Sequence, residues 1–300
     1  MKKTNFMMLA TMLATVMTTA CNNEEAFQEQ PTEKAHVKLV CGMQVETRAA
    51  LTANSKALTD LYILDYDKAT GKLLQVLHQT STATDFAEPD LTLDYGDHTL
   101  KVVATRSQEP TLWDAGNITW PLEPNILTPI TASQPVALTA TKTSDTFGAE
   151  KDVSVGAGTA TVNIALDRLV AKLSVNSTDI FPDDCTTITL DFQEHKVLSW
   201  ATMDVIESVE NQRISDVHHL RGTTDNTLSY FILVPKAGYK TDITFTMNST
   251  DAPYATITVP EVPFERNKIT TITGSLYSHQ QRMVMTVNDE WNSETTDITI

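Results

Sequence analysis

Two residues are candidate sites for covalent modification or cleavage of the chain itself. Cys21 closes an N-terminal apolar segment, so its thiol is a candidate for acylation. Arg48 is the first arginine of the chain and precedes the small residue Ala49, so the peptide bond between them suits a trypsin-like protease. Both reactions would process the protein rather than convert a substrate. An arginine at a strand end is also a common solvated residue, and this simpler interpretation of Arg48 stays open.

The first twenty residues have the layout of a secretory signal. Lys2 and Lys3 precede the uncharged run 5–20, whose apolar centre is too short to span a bilayer. The run ends in TTAC, which resembles a bacterial lipobox, although leucine is usual where Thr18 stands. The sequence therefore predicts a signal peptide over 1–20, followed by a diacylated, palmitate-bearing Cys21 as the mature N-terminus. An ordinary signal peptide with a chance cysteine is the alternative.

A strand with one apolar face comes next. Residues 37–48 read VKLVCGMQVETR, and an apolar residue occurs at every second position from Val37 to Val45. A period of two is the pattern of a β-strand with one buried face. Residues 21–35 are polar and contain Pro31, which predicts a flexible tether before this strand. The residues predicted to face the core are Val37, Leu39, Cys41, Met43 and Val45.

The sequence lacks the motifs of enzyme chemistry. It has no glycine-rich phosphate loop, no G-x-S-x-G elbow and no H-E-x-x-H. His218-His219 is the one cluster among seven histidines, and adjacent strand residues point to opposite faces, so no metal site is expected. The formal net charge of −16 provides no electrostatic footprint for nucleic acid. We therefore expect no enzyme, no cofactor and no nucleic-acid partner.

Cysteine and tryptophan usage leaves two questions open. If Cys21 is lipidated, Cys41 and Cys185 remain, and these could form one disulfide. Two unpaired thiols are the favoured interpretation, because nothing indicates a disulfide framework. The tryptophans could form a platform for a sugar, but packing in a core is the commoner fate of tryptophan in a β-sandwich. These residues are Trp113, Trp120, Trp200 and Trp291.

From residue 58 onward the chain reads as short strands separated by turn chemistry. Residues 61–66 read as a strand, a turn ending in Gly71 follows, and a returning strand ends at Leu77, which together predict a hairpin. Threonine is abundant, as expected for solvated strand faces. Many short strands at this spacing favour antiparallel β-sandwiches. We predict an all-β protein with two domains, over 36–167 and 168–300.

Several motifs together resemble those of the Bacteroidetes fimbrillins, the FimA/Mfa-like subunits of type V pili. The resemblance spans most of the chain and depends on the order and spacing of the motifs. It includes the lipobox-like N-terminus and the VETRA stretch at Arg48, whereas the tail Trp291–Ile300 is short for a long donor arm. The other motifs are ILDYD at 63–67, DYGDHTL at 94–100, VAT at 103–105, DTFG at 145–148, DRLVAKL at 167–173, PFERN at 263–267 and the closing stretches 270–276 and 284–291.

The resemblance implies two tandem transthyretin-like antiparallel β-sandwich domains, exported as an outer-membrane lipoprotein. It implies cleavage after Arg48 by an arginine-specific protease, which would release residues 21–48 together with the lipid. The vacated groove would then accept a strand from a neighbouring subunit, so that the partners are other subunits of an extracellular, cell-surface fimbrium. Membrane contact would occur only through Cys21, before processing. The candidate donor residues are Trp291, Ile298 and Ile300.

Three other functions stay open at this point. A fimbrial anchor would keep its lipid and first strand, so Arg48 would stay uncut. A tip adhesin would be cut but would lack a working donor strand, and it would bind host or bacterial surface ligands. A surface glycan-binding lipoprotein would present exposed aromatic side chains, for which Trp113 and Trp120 are the nearest pair. The main prediction is a structural fimbrial subunit that contributes to adhesion by strand exchange.

Overall fold

A computed structural model describes residues 33–43, 58–106, 111–113, 126–129, 137–139, 144–217, 227–249, 253–277 and 284–288. These residues belong to one compact unit, Glu33–Ile300. They form strands joined by turns and loops, and no helix occurs within these ranges. Accordingly, the described residues contain no helix with the length and apolar character needed to cross a membrane. The prediction of an all-β fold is confirmed.

The described residues form eighteen strands. In chain order, ten lie before residue 169: β1 Lys34–Met43, β2 Asp60–Asp67, β3 Leu73–Thr80, β4 Asp90–Asp94, β5 Gly96–Thr105, β6 Thr111–Trp113, β7 Leu127–Pro129, β8 Ala137–Thr139, β9 Thr146–Val155 and β10 Thr161–Arg168. The others are β11 Val170–Ser177, β12 Cys185–Ser199, β13 Asp204–Asp216, β14 Thr227–Leu233, β15 Tyr239–Ser249, β16 Pro253–Phe264, β17 Ile269–Gly274 and β18 Val284–Asn288.

The strands form two sheets. The first sheet has the order β4-β1-β10-β9-β5-β2-β3-β7. The second has the order β16-β15-β12-β14-β11-β17-β18, and β13 and β8 also pair with β12, while β6 pairs with β8. Because β6 and β8 come from the first half of the chain, the sequence between β5 and β9 contributes strands to both sheets. The predicted domain boundary at 167/168 stays a prediction.

The first sheet consists of two limbs that share one hydrophobic cluster. The limbs, β4-β1-β10 and β9-β5-β2-β3-β7, meet where Asp167 and Arg168 pair with Gly148 and Phe147. Apolar residues at alternate positions of both limbs point into the same cluster, as the period of two requires. Its members include Val37, Leu39, Cys41, Leu61, Ile63, Leu91, Leu93, Leu100, Val102, Val162, Ile164 and Leu166. The second sheet carries its own cluster, with Leu173, Ile188, Phe245, Val259 and Ile272 among its members.

Most strand pairs are antiparallel, as predicted, but two are parallel. β1 pairs in parallel with β10, and β11 pairs in parallel with β17. In each case the first strand of one half of the chain lies beside a late strand of that half. The antiparallel description from the sequence was therefore incomplete. Alternation within a strand defines its buried face and carries no information about the direction of its neighbour.

A third hydrophobic cluster joins the two sheets. It combines Tyr62 and Leu64 of β2 with Leu169, Leu198 and Trp200, all buried. Beside it, the Lys101 ammonium donates hydrogen bonds to the carbonyl oxygens of Trp200 at 2.6 Å and of Ala201 at 2.8 Å. Buried polar groups are stable when they are hydrogen-bonded, and these two bonds join β5 of the first sheet to the turn that follows β12.

The connection between β10 and β11 is held by a buried ion pair. Arg168 donates from Nε to Asp145 Oδ1 at 2.7 Å and from Nη2 to Asp145 Oδ2 at 3.2 Å. Its Nη1 donates to Asn267 Oδ1 at 2.9 Å, and its guanidinium lies over the Phe147 ring. Arg106 also contacts Asp145, at 3.2 Å. A bidentate geometry of this kind fixes direction as well as distance, so it orients the start of the second sheet.

We expect Gly148→Ala to destabilise the protein by about 1–3 kcal/mol, because overpacking a close contact forces neighbouring atoms to move. A Cβ at position 148 would lie 2.8 Å from Leu169 Cδ1, 3.1 Å from Met203 Cε and 3.2 Å from the Val102 carbonyl oxygen. Gly156→Ala is the matched control, since a Cβ there meets nothing within 4 Å. Urea unfolding of both variants tests the prediction, and equal losses of stability would contradict it.

Candidate functional site

One face of β1 is buried almost completely. The exposed fractions are 0% for Val37, 0% for Leu39 and 4% for Cys41, and Ala35 at 9% continues the row. The intervening His36 and Lys38 are exposed. The alternation predicted from the sequence is therefore confirmed over the described residues. β1 begins at Lys34, three residues before the predicted start at Val37.

Both edges of β1 are occupied by neighbouring backbone. Its first half runs antiparallel to β4, with Val37 opposite Leu91, and its second half runs parallel to β10, with Leu39 opposite Val162. Leu39 and Cys41 also donate backbone hydrogen bonds, each of 2.9 Å, to carbonyl oxygens of the loop that precedes β4. The acceptors are Pro89 and Ala87. β1 thus fills a groove with apolar walls and hydrogen-bonding edges.

The loop before β4 is held in place by a buried glutamine. Gln79 is 2% exposed, and its Nε2 donates to the side chain and the backbone carbonyl of Asp85, at 3.0 and 3.3 Å. Its Oε1 accepts from the Ala87 amide at 3.1 Å. Ala87 has a φ of 66°, a conformation that is uncommon for residues other than glycine. Gln79 therefore positions the carbonyl group that accepts a hydrogen bond from Cys41.

β4 is fastened to the opposite limb by a buried histidine network. His98 Nδ1 lies 2.6 Å from Asp65 Oδ1, and His98 Nε2 lies 2.8 Å from the carbonyl oxygen of Asp94, the last residue of β4. Gln75 Nε2 donates to Asp65 Oδ2 at 2.9 Å and to the Thr92 carbonyl at 3.1 Å. Both partners of the His98 ring are oxygen atoms that can accept hydrogen bonds, and this arrangement favours the imidazolium form, in which both ring nitrogens donate.

The charge on His98 makes the stability of the groove depend on pH. The hydrogen bond to Asp65 raises the pKa of His98 above its ordinary value of 6.5, and the negative charge of Asp65 raises it further. A group whose pKa is higher in the folded state than in the unfolded state stabilises the folded protein. This contribution is complete at pH values below the pKa of the group in the unfolded chain. That contribution is lost as the pH rises through the folded pKa.

We therefore expect the free energy of unfolding of the wild type to exceed that of His98→Gln by the largest amount at about pH 5.5. The difference should shrink as the pH rises toward about pH 9. Urea unfolding of both proteins across this range measures the difference. His36→Gln is the control, because His36 is an exposed histidine on β1 itself. A difference between wild type and His98→Gln that stays constant with pH would contradict an imidazolium at position 98.

A family model matches residues 123–300, which is more than half of the chain, and it is described as a family of unknown function, DUF6562. The chain belongs to the DUF6562 family. The match includes every described strand from β7 to β18. Among curated proteins, none matches this DUF6562 chain in sequence.

Solved structures from Bacteroides species share the fold of this DUF6562 chain. A candidate polysaccharide-binding protein (DUF1812) from Bacteroides thetaiotaomicron has 12% identity and a TM-score of 0.53, and the alignment covers 85% of this chain and 96% of that one. A candidate adhesin from Bacteroides ovatus has 15% identity and a TM-score of 0.52, with 85% and 94% covered. A candidate cell adhesion protein from Bacteroides eggerthii has 13% identity and a TM-score of 0.51, with 86% and 96% covered.

These similarities agree with the resemblance that the sequence motifs indicated. The DUF6562 chain shares its fold with candidate adhesins of Bacteroides species, which agrees with the predicted resemblance at the level of the fold. At 12 to 15% identity a likeness of this kind concerns the fold alone.

Several predicted site residues of the DUF6562 chain lie outside the described residues. For Met43 the structure gives the backbone position, opposite Leu166, and no side chain. The predictions of lipidation, cleavage and strand donation therefore stay predictions. The residues concerned are Cys21, Val45, Arg48, Ala49, Trp291, Ile298 and Ile300.

The structure places the two remaining cysteines in different clusters. Cys41 lies in the cluster of the first sheet and Cys185 in that of the second, so the two are not bonded to each other. Burial raises the pKa of the Cys41 thiol to about 12, so it stays neutral at physiological pH. Cys41 therefore acts as a small apolar residue of the groove, and a nucleophilic thiolate does not form there.

The remaining candidates for chemistry give a mixed result. Trp200 is 0% exposed, which confirms the packing interpretation for this tryptophan. The side chain of Trp113, and Trp120 and Trp291 as a whole, lie outside the described residues, as do His218 and His219. Within the part of the chain that the structure describes, no group of three His, Cys, Asp or Glu residues could hold a metal ion.

The residues and the loop that hold β4 and the neighbouring backbone against β1 have no signature in the sequence. The roles of Gln79 and of the loop before β4 carry no local signal, because they depend on which segments meet in the folded chain. His98 lies within the DYGDHTL motif at 94–100, whose pattern indicates a family resemblance but no buried ion pair. Its buried carboxylate partner, Asp65, lies within the ILDYD motif at 63–67.

Proposed function

We propose that this chain is a structural subunit of a cell-surface fimbria, secreted as a lipoprotein and assembled by strand exchange after cleavage between Arg48 and Ala49. One observation carries the proposal. β1, the first strand of the described residues, is buried on one face and hydrogen-bonded along both edges, so a single cut on its C-terminal side would detach it from the rest of the fold. The adhesin-like structures that share the fold support a surface role.

The energetics explain why the emptied groove needs a new strand. Burying Val37 or Leu39 is worth about 1.5–3 kcal/mol for each side chain. Release of β1 would expose the walls formed by Leu91, Leu93 and Ile164 and would leave the edges of β4 and β10 without partners. An exposed apolar groove between two open edges binds an added strand readily, because backbone hydrogen bonds and side-chain burial act together.

The groove defines what the incoming strand must look like. It must run parallel to β10 and antiparallel to β4, and it must present apolar side chains at every second position. The C-terminal segment of a neighbouring copy is the proposed donor, since Ile298 and Ile300 alternate there and Trp291 precedes them. We also propose that each sheet, with its own cluster, belongs to one of two tandem transthyretin-like sandwiches.

The decisive experiment is digestion of the secreted chain with an arginine-specific protease. Expected results are a new N-terminus at Ala49 and high-mass ladders or filaments in electron microscopy. Arg48→Lys is the matched variant, because it resists the arginine-specific enzyme while trypsin still cuts it. Filaments from Arg48→Lys after trypsin treatment, and none after the arginine-specific enzyme, would connect assembly to this bond.

Two controls separate the subunit from its alternatives. Deletion of Trp291–Ile300 should leave cleavage intact and abolish filaments, because the donor is lost. Resistance at Arg48 with a stable lipidated monomer would contradict the proposal and favour an anchor. Cleavage without filaments in the unmodified chain would contradict strand donation by the tail and favour a tip subunit.

A further inference from the structure

The outward face of β1 carries a charge pattern that matches the outward face of β4. In both strands the outward residues alternate with buried apolar ones, and the antiparallel register sets them directly opposite each other. The outward residues of β1 are Lys34, His36 and Lys38, and their respective partners on β4 are Asp94, Thr92 and Asp90. Opposite charges at directly opposed positions of a ladder stabilise the pairing. Each lysine of β1 therefore faces an aspartate of β4.

The two lysines of β1 form ion pairs with this side of the groove. Lys38 Nζ lies 2.6 Å from Oε2 of Glu88, which precedes β4, and Lys34 Nζ lies 3.3 Å from Asp94 Oδ1. The hydrogen bond to Glu88 raises the pKa of Lys38 above its ordinary value of 10.5, and the charges of Glu88 and Asp90 raise it further. Lys38 is therefore fully charged at physiological pH.

Release of β1 would leave the carboxylates beside β4 without these cations. Asp94 Oδ1 is a buried atom that accepts no hydrogen bond from the described residues, so its charge depends on the Lys34 ammonium. Glu88 would lose its partner at the same time. The emptied groove would thus have an acidic rim along β4, formed by Glu88, Asp90 and Asp94.

The side of the groove formed by β10 has a different charge. The outward residues of β10 that pair with β1 are Thr161, Asn163 and Ala165. Lys151 of β9 donates a hydrogen bond to the Asn163 carbonyl oxygen at 2.6 Å, so this side carries a positive charge. A cation in an incoming strand is therefore favoured at the positions of Lys34 and Lys38 but not at that of Val40.

We propose that the emptied groove selects a strand of a different subunit, one with apolar inward side chains and with basic outward side chains at two positions four residues apart. This inference rests on the proposed strand exchange and identifies the preferred partner by its charge pattern. Electrostatic complementarity decides between competing partners and speeds their association more than it raises the affinity itself. The neutral position between the two cations corresponds to His36, which lies opposite Thr92.

The tail of a second copy meets the apolar requirement but not the charge requirement. Residues 291–300 read WNSETTDITI, with two acidic residues and no basic one. The two isoleucines can align with Leu39 and Cys41. Asp297 then takes the position of Lys38 and faces the acidic rim, and like charges directly opposite each other destabilise a ladder. A second copy is therefore the weaker partner, whose tail fills the groove where no basic strand competes.

Competition between two peptides for the cut chain tests the charge requirement. The β1 peptide, residues 34–43, and the same peptide with Lys34→Glu and Lys38→Glu are added in equal, excess amounts to the secreted chain after cleavage at Arg48. Native mass spectrometry gives the ratio of the two complexes, which equals the ratio of the affinities. We expect about tenfold more of the β1 peptide at about 20 mM salt, and a smaller preference at about 0.5 M salt. The uncut chain, whose groove is filled, should bind neither peptide.

Reversal of the rim charges provides the matched variant. The chain with Asp90→Lys and Asp94→Lys should bind the reversed peptide more than the β1 peptide, because the signs are exchanged on both sides of the ladder. The chain with Asp183→Lys and Asp184→Lys is the control, since it makes the same change of net charge at exposed residues before β12. It should keep the preference of the wild type. Thermal unfolding before cleavage shows whether each variant folds.

The possible failures are distinguishable. Equal binding of the two peptides to the wild-type chain would overturn the charge requirement and leave strand exchange intact. Binding of neither peptide to the cut chain would overturn both.

The tail itself provides the last comparison. A peptide of residues 291–300 should lose to the β1 peptide by about tenfold, and Asp297→Lys should raise its share about threefold. A tail peptide that competes as well as the β1 peptide would overturn the proposal and favour a second copy as the partner. A tail peptide that does not respond to Asp297→Lys would also contradict it.

Discussion

Leu39→Asp should lower the free energy of unfolding of the uncleaved protein by at least about 4 kcal/mol, because a large-to-small change and a buried carboxylate act at the same position. Leu39 is fully buried, and its neighbours across the strand, from β10 and the loop before β4, are held in register by backbone pairing. The aspartate would therefore have neither water nor a cationic partner in the apolar cluster. Urea unfolding of the secreted chain measures the loss.

Val40→Asp is the matched control, since it also replaces an apolar residue by aspartate, one residue further along, on the opposite, half-buried face of β1. We expect it to cost about 1 kcal/mol or less. An equal loss in the two variants would contradict the assignment of the buried face. If strand exchange is correct, both variants should form filaments as the wild type does once they are cut after Arg48, because the substituted residue leaves with the released strand.

Asp145→Ala should destabilise the protein by about 3–5 kcal/mol, because it removes the carboxylate that neutralises two largely buried guanidinium groups. Asp145 is 3% exposed, and its carboxylate accepts two hydrogen bonds from Arg168 and contacts Arg106. Arg168 and Arg106 both lie against the Phe147 ring, so the face of an aromatic side chain shields their positive charges from water. Thermal and urea unfolding measure the effect.

The control for this prediction is Asp152→Ala, which removes an exposed carboxylate paired with Lys68 at 2.9 Å. Exposed ion pairs contribute little to stability, so this variant should unfold almost as the wild type does. A small effect of Asp145→Ala would show that the contacts of β11 with its own sheet are sufficient to fix the start of the second half. A large effect of both variants would point to a general loss of favourable charge instead.

The buried face of β1 could be predicted from sequence because its signal is local. Alternation of apolar residues from Val37 to Cys41 specifies a strand with one buried face, and no partner needs to be known for that conclusion. Packing of Trp200 was likewise the expected fate of a tryptophan in a sandwich. The parts that hold β1 could not be found in this way. Gln79 and His98 act through residues brought near them by the folded chain.

The sequence by itself determined that this protein is all-β, that its first strand has one buried face, and that no enzyme motif is present. These conclusions depend on residue type and on a spacing of two, which are properties of neighbouring residues. The tertiary structure alone decided that β1 runs parallel to β10, that His98 fastens β4 through Asp65 and the Asp94 carbonyl group, and that Gln79 holds the loop before β4. Strand direction, register and edge position depend on contacts between distant segments, and a local pattern is compatible with many such arrangements.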